Sequence, residues 1–336
     1  MPRIGKRPAS LGLLCLALLT GLAWQPRARA EWFSRQAAIM GTRVGVELWH
    51  DQAGPARAAM DAVLAEFRRL DQALSPFIEE SELARVNREA ASHPVAVSAE
   101  LFGLLEQSRH FSELTHGAFD ITFASVGYLY DYRQGRRPTD AQIAARLPNI
   151  DYRQVELDPH TRQVHFGRPG VRIDLGGIAK GYAVDRAIAL LQERGIKHAL
   201  VSAGGDSRII GDHEGRPWHI GIRAPRDPQG MVAVLPLTDT AISTSGDYER
   251  YFEADGVRYH HILNPRTGRS AREERSVTIL GPNATETDAL STSVFVLGTQ
   301  AGLALVERLP EIEAVIIDSQ GRMHYSDGLR AIHKRP

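Results

Sequence analysis

Apolar positions Val44, Val46 and Leu48 alternate with Arg43, Gly45 and Glu47, which predicts a half-buried strand near the start of the folded chain. The period then lengthens. Between residues 55 and 74, Ala59, Val63, Phe67 and Leu70 fall on one stripe at helical spacing. A second helix fits residues 98–115, with Ser98 placed to cap it and Leu101, Leu104, Leu105 and Phe111 turned inward. TDAQ at 139–142 has the form of a capping box for a short third helix. From residue 152 the pattern turns largely to short strands. DPHTR (158–162) and EADGVR (253–258) read as hairpin turns, HALVSAGG and SVTILG as buried strands, and a last hairpin is expected around Ser319-Gln320-Gly321. Helical spacing returns at 177–194 and near 286–298. Helices first and strands later, with two late helices, predicts an α+β fold in one compact, two-lobed unit rather than a regularly alternating parallel sheet.

The first thirty residues differ in kind. Arg3, Lys6 and Arg7 precede the apolar run LGLLCLALLTGLAW, and Ala28-Arg29-Ala30 follows, which is the pattern of a secretory signal peptide cut after Ala30. The expected organisation is therefore residues 1–30 as signal peptide and 31–336 as one domain, exported to the periplasm. Cys15 is the only cysteine and lies in that segment, so the remainder has no disulfide, no thiolate metal site and no catalytic thiol. Lys plus Arg balance Asp plus Glu at 40 each, which gives no support to a nucleic-acid partner. HExxH, GxSxG and zinc-type Cys/His spacings are absent, which removes the common hydrolase and metalloprotease motifs.

Chemistry gathers in four stretches. VRIDLGGIAKGYAVDRA (171–187) reads as a strand, Val171 to Leu175, a Gly176-Gly177 turn and a helix, which is how backbone N–H groups are aimed at a phosphate. It fits neither usual fingerprint: Ile178 stands where a dinucleotide fold needs glycine, and Tyr182-Ala183 where a P-loop needs Lys-Ser/Thr. In TETDALSTSVFVLG (285–298), a helix capped by Thr285 puts Asp288 and Thr292 on one face, where they either share a hard cation or serve as a capping box and a buried hydroxyl. RYHHILNPRTG (258–268) places His260 and His261 on opposite faces of a strand, so that at most one serves as acid, base or phosphate donor. SAGGDS (202–207) and STSGDYER (243–250) could wrap a diphosphate or simply make turns, and HGAFD (116–120) adds the carboxylate of Asp120.

Taken in order, MGT (40–42), LSPFIEESELARVN (74–87), HGAFDIT (116–122), VRIDLGGIAKGYAVD (171–185), SAGGD (202–206), STSGDYER (243–250), HHILNPRTG (260–268) and TDALSTSVFVLG (287–298) resemble the FAD:protein FMN transferases of the ApbE type. The resemblance spans nearly the whole chain beyond residue 30. It implies a mainly antiparallel sheet with flanking helices and a transferase that moves FMN from FAD to a Ser or Thr hydroxyl of a partner protein, releasing AMP. It implies Mg²⁺ held by Asp288, Thr292 and the Gly177 carbonyl, and FAD contacts at Met40, the Ser75–Phe77 segment, Asp120, Lys180 and Ile262. His261 matches the family histidine beside the pyrophosphate; His261 and Asp288 are the candidates for the base, and His261 is preferred because a metal ligand is a weaker base. The implied acceptor is a membrane redox subunit of the Nqr or Rnf type or a NosR-like protein. An FAD pyrophosphatase and a non-catalytic flavin-binding protein are the rival readings.

Overall fold

The computed structural model describes residues 30–333 except Pro228. The expected signal peptide thus lies outside the described residues, apart from Ala30. An eight-stranded sheet organises the chain. Its strands are β1 (Glu31–Ile39), β2 (Thr42–His50), β3 (Ala199–Ala203), β4 (Asp206–Ile210), β5 (Ala241–Gly246), β6 (Glu274–Gly281), β7 (Glu313–Asp318) and β8 (Met323–Tyr325). Each pairs antiparallel with the next in the chain, so the sheet is one meander from which helices and smaller sheets loop out. The antiparallel α+β expectation holds.

Three helices lie side by side along the sheet. α1 (Ala53–Leu74) packs on β1 and β2 with Ala59, Val63, Phe67 and Leu70 buried, as the stripe predicts. α2 (Ala99–Leu114) lies elsewhere, on the insertion after α1, and begins at Ser98, whose hydroxyl accepts the Leu101 N–H. α3 (Ala179–Glu193) packs against α1, β3 and β4, and α4 (Ala284–Leu297) against α3, β5 and β6. A short helix, Asp140–Arg146, carries the expected Thr139–Gln142 capping box. Among the described residues no helix is long and apolar enough to cross a membrane.

Three departures from expectation have a local reason. A strand missed by the sequence pattern, β1, precedes the predicted one. It is the sheet's edge, so its apolar residues are interrupted by the exposed Ser34 and Gln36 and the half-buried Arg35, and the alternation is blurred. Residues 171–175 are extended but belong to no strand. Their backbone is satisfied instead by Asn87, which bonds both the N–H and C=O of Ile173, by the Ser125 hydroxyl on Arg172 N–H, and by Ile121 C=O on Asp174 N–H. Finally, Thr285 is not the cap of α4. Asn283 is, its side chain accepting the Glu286 N–H at 2.9 Å, while Thr285 sits inside the first turn. Its hydroxyl and N–H, with the Ala284 N–H, are taken by the Asp185 carboxylate of α3 at 2.6–2.9 Å. Asp185 thereby satisfies N–H groups that a helix start otherwise leaves open, and fastens α4 to α3.

Candidate active site

The α3–α4 contact is close because residue 181 is glycine. A Cβ there would stand 2.1 Å from the Ala284 carbonyl oxygen and 2.8 Å from Asp288 Cβ. The same closeness lets the Gly181 N–H donate to Asp288 Oδ2 at 2.9 Å. One residue earlier, Lys180 sends its ammonium between two buried carboxylates, 2.9 Å from Asp206 Oδ2 and 3.4 Å from Asp288 Oδ1, and donates to the Gly176 carbonyl at 3.2 Å. Burial would push that ammonium's pKa down, but the charges of Asp206 and Asp288 outweigh it and hold it above its ordinary value. Asp288 is pushed well above the usual carboxylate range, chiefly by burial and then by the Asp206 charge, against the pull of Lys180 and the Gly181 N–H. Two carboxylates thus share one lysine at this corner.

Asp288 and Thr292 do share a face: Asp288 meets Gly181 and Lys180, and Thr292 meets the glycine turn, where a Cβ built on Gly177 would lie 3.3 Å from Thr292 Oγ1 and 3.2 Å from Phe119 Cε2. Gly177, Lys180, Asp288 and Thr292 are therefore brought together. Among the described residues no three His, Cys, Asp or Glu side chains are arranged to hold a metal ion. The donors present, carboxylate, hydroxyl and backbone carbonyl, are nonetheless hard oxygens, and glycine at 177 leaves open beside Thr292 Oγ1 the space a Cβ would take. That set fits Mg²⁺, which binds through few protein oxygens and keeps water or phosphate in its other positions.

The hydroxyl-rich stretches do other work. Ser243 and Ser245 of β5 bond Thr287 and Ser291 of α4, each at 2.8 Å, and so tie the sheet to the helix bearing Asp288, while Thr244 bonds Thr278 of β6 at 2.9 Å. Gly204-Gly205 make the two-residue turn between β3 and β4, with Gly204 at φ +62°, and deliver Asp206 to Lys180. Asp206 stood in the SAGGD stretch, but its role depends on a fold contact with residue 180 that spacing does not reveal.

The expected strand holds only the first of the paired histidines. His260 ends a strand (Val257–His260), is buried, and bonds the Ala271 carbonyl through Nε2 at 2.6 Å. His261 follows the strand; its N–H donates to the Arg250 carbonyl at 3.1 Å, and its Nδ1 is buried without a partner. Burial, then the charges of Arg250, His260 and Lys180, bring its imidazole down to about 3, so it is neutral at ordinary pH with a lone pair available.

The remaining candidates are spread more widely. Met40 and Gly41 form the β1–β2 turn, both at positive φ (55° and 68°), and the Met40 N–H is held by Asp71 Oδ2 at 3.2 Å. Ser75 terminates α1 on the carbonyl of that same Asp71, and Phe77, 84% exposed, projects from the following loop. Asp120 is buried and accepts from the Thr122 N–H and hydroxyl and from the Tyr152 N–H at 2.5–2.9 Å; burial raises it to about 6 despite these donors. Both its oxygens thus serve to pin a loop, and it is Phe119, its neighbour, that reaches the Gly177 turn. Ile262 is packed in the main core, its carbonyl bonded to the Ala271 N–H.

Comparison with known proteins assigns the chain, with its charged cluster at glycine turns on an antiparallel α+β frame, to the class of the flavin transferases. The chain belongs to the ApbE family, whose sequence model matches residues 40–316. It is 34% identical to the FAD:protein FMN transferase of Treponema pallidum (strain Nichols), over 90% of this chain and 89% of that protein. It is 32% identical to the enzyme of the same name from Vibrio cholerae, over 95% and 97%. Among solved structures, the ApbE protein of Thermotoga maritima superposes with a TM-score of 0.84 at 35% identity, covering 91% of this chain and all of that one. The flavin transferase ApbE from Vibrio cholerae gives 0.81 at 29%, covering 90% and 99%.

Proposed function

We propose that this protein moves the FMN half of FAD onto a Ser or Thr hydroxyl of a partner redox protein and releases AMP. The family and its curated relatives support the transferase class and FAD as substrate. The observation that carries the chemistry is the meeting of Lys180, Asp206 and Asp288 at a glycine turn, together with a neutral histidine whose Nδ1 is free. Asp288, Thr292 and the Gly177 carbonyl would hold Mg²⁺, which when bound offsets pyrophosphate charge.

His261 acts as the base in this reading, since an unassisted alcohol is a poor nucleophile near neutral pH. The acceptor oxygen attacks the phosphorus that bears the riboflavin, and its proton passes to His261 Nδ1. The bond from that phosphorus to the bridging oxygen breaks, and AMP leaves with that oxygen. Asp288 is the less available group because its oxygens already accept from Gly181 N–H and face Lys180, whereas His261 Nδ1 is open among the described residues. Lys180 keeps both aspartates oriented, and Gly177 and Gly181 leave the room that the diphosphate and the helix contact require. We further propose that the protein acts in the periplasm, after export by its N-terminal segment, on a membrane redox subunit of the Nqr, Rnf or NosR-like kind.

The test incubates the protein with FAD, Mg²⁺ and a Thr-containing acceptor domain, and follows the acceptor by mass spectrometry and in-gel flavin fluorescence. An FMN-sized mass gain that EDTA abolishes is the expected result. AMP and free FMN accumulating beside an unmodified acceptor would instead make the protein an FAD pyrophosphatase. FAD bound and unchanged with every acceptor tried would make it a flavin-binding protein.

A further inference from the structure

Arg250 is a cation at this site with no partner of its own. It stands at the end of STSGDYER, is exposed, and among the described residues its guanidinium forms no hydrogen bond or ion pair. Exposed arginines are common, but its surroundings are specific. Its carbonyl accepts the His261 N–H, and its Nη2 stands 3.7 Å from the place a Cβ on Gly41 would occupy, so the head group lies over the β1–β2 turn. Its charge is felt by Asp174, which accepts the Gly176 N–H at 2.7 Å, and by His261.

Charge accounting gives this placement a use. Lys180 is already matched by Asp206 and Asp288, and Asp174 adds a third carboxylate on the same glycine turn. An incoming diphosphate therefore finds Lys180 committed and Arg250 free. A guanidinium presents a planar fork of donors that matches two phosphate oxygens at once, which an ammonium does not. Resting on the transferase reading above, we propose that Arg250 binds the diphosphate of the dinucleotide directly, from the side of the Met40–Gly41 turn. It is then a substrate-binding residue of the transfer reaction, and the mouth of the site is selective for phosphorylated ligands because of it.

The experiment titrates ADP into the wild-type protein, Arg250→Gln and Arg250→Lys by calorimetry in Mg²⁺-containing buffer, with the melting temperature of each recorded. Loss of a charge-assisted pair predicts ADP binding weakened about tenfold or more in Arg250→Gln, partly restored in Arg250→Lys, at unchanged melting temperature. With FAD and acceptor, KM for FAD rises by a similar factor. ADP affinity unchanged in Arg250→Gln overturns the proposal. So does a loss of affinity accompanied by a lowered melting temperature and equal in the two variants, since that is a structural effect. Failure of the wild type to modify any acceptor would strike the transferase reading and leave the ADP contrast to be read by itself.

Discussion

Replacing Gly181 by Ala tests the frame on which the site is built. The added carbon would meet the Ala284 carbonyl oxygen at 2.1 Å, its carbon at 2.6 Å and Asp288 Cβ at 2.8 Å. Those are backbone and near-backbone atoms of a packed helix, so no side chain can swing away. Reaching ordinary contact of about 3.5 Å requires α3 and α4 to part by roughly 1 Å or more. Overpacking of this kind costs about 1–3 kcal/mol. The charge-assisted bond from Gly181 N–H to Asp288 adds about 1.5–3 kcal/mol if it is lost. Alanine's better helix propensity returns about 1 kcal/mol. The net is a loss of about 2–5 kcal/mol, or a fall of roughly 3–8 °C in melting temperature for a chain of this size. Transfer activity should fall by about a hundredfold, as Asp288 moves relative to Lys180. Urea and thermal unfolding measure the first effect, and acceptor modification the second. Gly103→Ala is the control: it is also helical, nothing stands within 4 Å of its new carbon, and it should be neutral to stabilising. Gly181→Ala with wild-type stability and activity would refute the reasoning.

Other outcomes follow from the same geometry. Asp185→Ala removes the acceptor of the Ala284 and Thr285 N–H groups and the partner of Arg208, so it should lose about 1–3 kcal/mol in urea unfolding and weaken transfer by loosening the start of α4. Asp120 holds its proton up to about pH 6 in the fold but only to about 3.8 in the unfolded chain, so the native state binds more protons between those values. Its contribution to stability therefore falls as pH rises from about 4 to 6. Relative to Asp120→Asn, the wild type should lose about 2–3 kcal/mol over that window, read from urea midpoints, and a flat difference would contradict the assignment. Because His261 is neutral above about pH 3, kcat/KM for transfer should carry no histidine ionisation between pH 5 and 8.

Periodicity made much of the frame legible. α1 and α2 bury one stripe each on a core, so their apolar spacing was plain, and the hairpins at 158–162 and 253–258 carried their turn residues openly. The failures have physical causes. β1 is an edge strand with a weak alternation, and its turn uses Met40 at positive φ rather than the Asn-Gly or Asp-Gly that signals such turns. Residues 171–175 look like a strand because their apolar side chains are buried, yet side chains at 87 and 125 satisfy their backbone. In α4 the cap was misassigned because Asn283, Thr285 and Thr287 are all capping residue types, and only the fold shows that Asp185 takes Thr285.

The site followed the same rule. Asp288 and Thr292 were legible because helix geometry sets four-residue neighbours on one face, and the glycine turn at 176–177 because it precedes a helix; the roles of Gly177 and Lys180 came from the resemblance. Asp206, Asp174 and Arg250 stayed unassigned, since each reaches the site from a different segment and gains its role only through a long-range contact. Asp120 and Ile262 were named by resemblance; the fold engages the first in a loop network and the second in the core.

The most direct measurement of the central claim compares His261→Gln with the wild type in single-turnover FMN transfer, with FAD affinity measured separately. If His261 takes the acceptor's proton, FAD binding should be retained while the rate falls by about 10²–10⁴. A His261→Gln protein that transfers FMN at the wild-type rate would contradict the account.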